Sequence, residues 1–111
     1  MKTNNLLYFY VLTLLPFLVF AQSTIDGKVI DGEFNDVLPF ANVILYSQSE
    51  DGSLINLEGS TTDFDGNFSF SDLPAGVYTI DISFVGYSTV KISDIVLKVG
   101  DVVPISVTLQ P

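Results

Sequence analysis

The sequence predicts an all-β protein: a small antiparallel β-sandwich of about seven strands, preceded by a helical signal peptide. Three observations lead there. After residue 21 no stretch holds a helical period. Apolar and polar residues alternate over short runs instead, the pattern of strands with one buried face. Turn-forming groups separate these runs at intervals suited to a sandwich. They are Asp31-Gly32, Asp51-Gly52, Asp65-Gly66, Pro74-Ala75-Gly76 and Gly100-Asp101.

The first segment is a leader and not part of the fold. Lys2 supplies a positive start, and Leu6 to Phe20 is apolar apart from Thr13 and Pro16. That run is shorter than the roughly 20 residues a spanning helix needs, and it contains a proline. Val19-Phe20-Ala21 has the residue types a signal peptidase reads, so cleavage is expected after Ala21. This leaves residues 22–111 as the mature domain, without membrane insertion of its own.

The strands follow in order. Ile25, Gly27 and Val29 form one alternating set. Ala41 to Tyr46 is apolar on both faces except at Asn42, as in a central strand or one whose outer face is covered by something else. Ser47 to Leu57 is polar and reads as an exposed loop. Phe68 and Phe70 share a face of a short strand, and Tyr78, Ile80, Ile82 and Phe84 give the cleanest alternation. Val90 and Ile92 lead to Ile95 and Leu97 across Ser93-Asp94, which marks a bulge or a break. Val103, Ile105, Val107 and Leu109 close the domain. Pro104 lies among them and cannot donate to a ladder, so this strand belongs at an edge or begins there.

Composition excludes most chemistry. Thirteen acidic residues face four lysines, with no histidine, cysteine or arginine. Such a surface repels nucleic-acid backbones and anionic headgroups. Ser-His and Cys-His nucleophile pairs, the usual zinc ligand sets and a bidentate arginine clamp are all unavailable. Without cysteine there is neither a disulfide nor an acceptor for a lipoprotein anchor. A paired-carboxylate hydrolase would need a cleft, which a sandwich this small seldom has. No enzyme activity and no cofactor are expected.

Two places could hold a ligand. Asp63 and Asp65, followed by Gly66, resemble the start of a calcium loop, where oxygen ligands alternate. The bidentate glutamate such a loop requires is missing from Phe70-Ser71-Asp72-Leu73-Pro74. The preferred reading is a hairpin turn, with glycine supplying positive φ and Asp63 capping local amides. In Phe84-Val85-Gly86-Tyr87, Tyr87 could stack on a sugar. The preferred reading packs it on the edge of the core while Gly86 allows a bend.

The order of these pieces resembles the carboxypeptidase regulatory-like domain, a transthyretin-like β-sandwich. The resemblance spans nearly all of residues 24–109. It rests on Ile25-Asp26-Gly27-Lys28-Val29, Leu38-Pro39-Phe40-Ala41-Asn42-Val43, Thr61-Thr62-Asp63-Phe64-Asp65-Gly66-Asn67-Phe68, Leu73-Pro74-Ala75-Gly76-Val77-Tyr78 and Ser83-Phe84-Val85-Gly86-Tyr87. The residues that define the fold are thus Gly27, Pro39, Asp63, Asp65, Gly66, Phe68, Pro74, Gly76, Tyr78, Gly86 and Tyr87. The resemblance implies a non-catalytic accessory module. A signal peptide directly before this domain resembles the start of a TonB-dependent outer-membrane receptor of a gram-negative bacterium. There it would sit in the periplasm, and its partner would be a periplasmic protein or the rest of the receptor. Ending just after the last strand fits a piece of such a receptor. The alternative is a stand-alone or spacer domain of a secreted protein that binds a glycan or calcium.

Overall fold

A computed structural model describes residues 22–111; the leader expected over residues 1–21 lies outside the described residues. Seven strands follow one another: β1 (Ser23–Asp31), β2 (Asn42–Gln48), β3 (Leu54–Thr61), β4 (Asn67–Leu73), β5 (Gly76–Ser83), β6 (Val90–Leu97) and β7 (Val102–Leu109). They form a three-stranded sheet in the order β4-β1-β7 and a four-stranded sheet in the order β3-β2-β5-β6. The predicted all-β sandwich is therefore the observed architecture.

One ladder departs from the antiparallel expectation. β1 and β7 run parallel, from Thr24 opposite Val102 to Asp31 opposite Leu109. The reason is parity. Every connection reverses the chain, so odd-numbered strands share one direction, and β1 and β7 are the only neighbours that are both odd. The other ladders join an odd strand to an even one and are antiparallel.

The alternating sets point inward as read. Ile25, Val29, Phe68, Phe70, Val107 and Leu109 from one sheet meet Val43, Leu45, Tyr78, Ile80, Ile82, Ile95 and Leu97 from the other. Burial of this apolar surface is the main driving force for a domain without disulfides. β2 lies between β3 and β5, with Val43 and Leu45 facing the core and Ile44 and Tyr46 half-buried on the other face. Pro104 lies in β7, at the open edge of its sheet.

The reading of Ser47 to Leu57 as one exposed loop needs correction. Ser47 and Gln48 belong to β2, and Leu54 opens β3, so only Ser49 to Ser53 is loop. β3 is exposed along almost its whole length, because it is an edge strand that the smaller sheet does not cover. Without a buried face it shows no readable alternation. Ser93-Asp94 is a bulge within a single strand. Tyr78 pairs with Ile95 and Ile80 with Ile92, leaving two residues of β6 opposite Thr79. A matching bulge places Ser71 and Asp72 of β4 opposite Thr24. Asp72 and Asp94 both have φ of 58°, a left-handed conformation that aspartate tolerates better than most residues.

Candidate functional site

The Asp63 turn is held by its own side chain. Asp63 Oδ1 accepts from the amides of Asp65 and Asn67, each at 2.9 Å. The Gly66 amide donates to the Asp63 carbonyl at 3.0 Å, and the Asp63 amide to the Asn67 carbonyl at 2.9 Å. Gly66 has φ of 76°. A Cβ there would also lie 2.7 Å from the Val29 carbonyl oxygen, so both conformation and space call for glycine. The Gly66 carbonyl accepts from the Val29 amide at 2.8 Å, which ties the turn to β1.

This arrangement does not bring Asp63 and Asp65 together around a cavity. A shallow depression of about 270 Å³ beside the turn is lined by Asp26, Gly27, Asp63, Asn67, Phe68 and Ser69, without Asp65. Asp26 Oδ1 already accepts from Ser69 Oγ at 2.6 Å. Among the described residues, no three carboxylate, imidazole or thiol groups are placed to share a cation.

Next to the turn, the loop before β2 is fastened by one buried hydroxyl. Thr62 is only 1% exposed. Its Oγ1 donates to the Leu38 carbonyl at 2.6 Å and accepts from the Ala41 amide at 2.9 Å. The backbones pair alongside, Phe40 N to Thr62 O and Thr62 N to Ala41 O, each at 3.0 Å. Between these anchors Phe40 adopts φ of 62°, and its ring points outward onto Phe64. The two rings meet edge to face, with centroids 5.2 Å apart and planes at 79°. Pro39 sits half-buried inside the same loop.

At the β5–β6 connection, Phe84 to Tyr87 form a turn in which the Tyr87 amide donates to the Phe84 carbonyl at 3.0 Å. Gly86 supplies the positive φ of 87° this turn needs. The Phe84 and Tyr87 rings pack 5.8 Å apart against the core, half-buried. The Tyr87 side chain lies near Asp31, whose Oδ1 is buried without a hydrogen-bond partner. This proximity raises the Tyr87 phenol above its ordinary value, with burial and the charges of Asp31 and Glu33 adding to it. Asp31 itself is held below the usual carboxylate range, first by the Phe34 amide, which donates to Oδ2 at 2.8 Å. Tyr87 thus packs half-buried on the edge of the core.

The remaining fold-defining positions are also placed. Gly27 lies beneath the Phe68 ring. Gly76 opens β5, and the Tyr78 hydroxyl donates to the Pro74 carbonyl at 2.6 Å, closing the β4–β5 turn. Thr62, Phe40 and Phe64 carry no local sequence pattern that marks their roles, since each depends on contacts between distant segments.

The carboxypeptidase regulatory-like domain family matches residues 24–110. A comparison with curated proteins gives no match. Among solved structures, the chain is similar to the Streptococcal ancillary pilin at 18% identity and a TM-score of 0.62, covering 81% of this chain and 32% of that one. It is similar to the Bacillus anthracis TIE protein at 20% identity and a TM-score of 0.59, covering 80% of this chain and 16% of that one. Hydroxyquinol 1,2-dioxygenase from Pseudomonas putida DLL-E4 aligns at 10% identity and a TM-score of 0.60, over 85% of this chain and 58% of the other. The chain thus spans between 16% and 58% of these proteins, and at such identities the likeness is one of fold. With the match running through all seven strands, the chain belongs to the carboxypeptidase regulatory-like domain family.

Proposed function

We propose that this domain is a non-catalytic, exported interaction module, standing as the periplasmic N-terminal extension of a TonB-dependent outer-membrane receptor for nutrient uptake in a gram-negative bacterium. The observation that carries the reading is the family match over residues 24–110, directly behind a leader-like segment. The absence of histidine, cysteine and arginine from the sequence supports a role without catalysis. The likeness to the Streptococcal ancillary pilin is compatible with an exported setting for this sandwich. In this role the sandwich offers its loops and edges to a periplasmic protein or to the rest of the receptor.

Cell fractionation with an antibody against the domain tests this. The reading expects an outer-membrane band far larger than this chain, protected from protease in intact cells and cleaved once the outer membrane is opened. A band released into the medium, or one cleaved on intact cells, would instead make the domain a secreted or surface spacer.

A further inference from the structure

We propose that the end of the sandwich bearing Phe40 and Phe64 is a docking surface for a basic, apolar protein segment. The proposal rests on the interaction-module reading and supplies its surface and partner chemistry. Phe40 and Phe64 are 55% and 79% exposed, and Val37, 38% exposed, adjoins the same turn. Scattered apolar residues on a surface need no explanation, but a contiguous aromatic group does.

The backbone adds a second, independent observation. Phe40 holds φ of 62°, a conformation that strains a bulky L residue and that glycine or asparagine adopts readily. The paired hydrogen bonds of buried Thr62 on either side fasten the loop in this shape. Nothing in the core needs the Phe40 ring, since it points away from it. Backbone strain that presents an aromatic to solvent is the kind found where a protein makes contact with a ligand.

Charge selects the partner. Asp63 and Asp65 flank Phe64 and Asp36 precedes Val37, all three exposed, against one lysine at this end, Lys28 of β1, which pairs with Asn67. A partner presenting arginine or lysine can set a cation over a phenylalanine face while pairing with the aspartates. A second copy of this chain would bring the same acids against each other across a two-fold axis. Anionic lipid would meet the same repulsion.

The test is an NMR titration of the ¹⁵N-labelled chain with a synthetic hexapeptide of alternating arginine and tryptophan. Its controls are the same peptide with glutamate for arginine, and maltoheptaose. The proposal expects saturable shifts confined to amides around residues 36–41 and 62–66 with the arginine peptide alone, weakened by salt. Phe64→Ala should weaken binding at least about tenfold. Phe40→Asn, which suits the backbone, should do the same with an otherwise unchanged spectrum. Equal binding of the glutamate peptide, binding of the glycan there, shifts elsewhere, concentration-dependent dimerisation through this face, or no saturable shift would each overturn it. None of these outcomes changes the fractionation result, so the two readings fail separately.

Discussion

The Phe68 ring lies across Gly27, its directly paired neighbour on the adjoining strand, so that a Cβ on Gly27 would overlap the ring. The glycine is part of the packing of β1 against β4: its missing side chain is the space that Phe68 occupies. Phe68 is 5% exposed and inclines against Phe70 at a centroid distance of 6.0 Å.

Gly27→Ala should therefore destabilise the domain by about 1–3 kcal/mol, the usual range for overpacking. Phe68→Ala should cost about 3–5 kcal/mol. In a Phe68→Leu background the cost of Gly27→Ala should fall, because the two positions compete for one volume. Urea denaturation of the four variants measures the cycle, and full additivity would show that the ring moves aside freely.

Thr62→Val keeps shape and burial but removes the hydroxyl that serves both Leu38 and Ala41. Two polar backbone groups lose a partner, and the expected loss is about 1–3 kcal/mol. Chemical denaturation reports the loss, and faster amide exchange at Ala41 would locate it.

Asp63→Ala removes the acceptor of two turn amides, and a loss of about 1–2 kcal/mol is expected. Asp63→Asn retains a side-chain oxygen and should cost less. Because that oxygen is engaged within the turn, millimolar calcium should leave the thermal midpoint unchanged. An upward shift that disappears in Asp63→Asn would restore the cation reading.

Asp31 gives a pH dependence of definite sign. Its carboxyl is held below the ordinary 3.8, chiefly by the Phe34 amide. A depressed folded value contributes stability above the unfolded pKa, and that contribution is lost as pH falls through the folded value. Asp31→Asn should thus flatten the acid limb of the stability profile. Tyr87 is shifted the other way, above 10.0, with Asp31 as the main cause. Its contribution is present below the unfolded value and lost as pH rises through the folded one. Tyr87→Phe should soften the alkaline limb, as read from thermal midpoints across pH.

The sequence by itself determined the all-β class, the inward faces and most turns. These depend on neighbours along the chain: alternation places Tyr78, Ile80 and Ile82 on one face, and Asp65-Gly66 bends wherever it occurs. It also excluded histidine, cysteine and arginine chemistry outright. Only the tertiary structure decided that β3 is a strand, because an uncovered edge has no buried face to leave a pattern. The same holds for the parallel β1–β7 ladder, which follows from which strands become neighbours. It holds again for Phe40, whose outward pose depends on hydrogen bonds from Thr62, 22 positions further along the chain. Local pattern records the face a residue turns to the core; contacts between distant segments decide where a strand pairs and which aromatics are left to meet a partner.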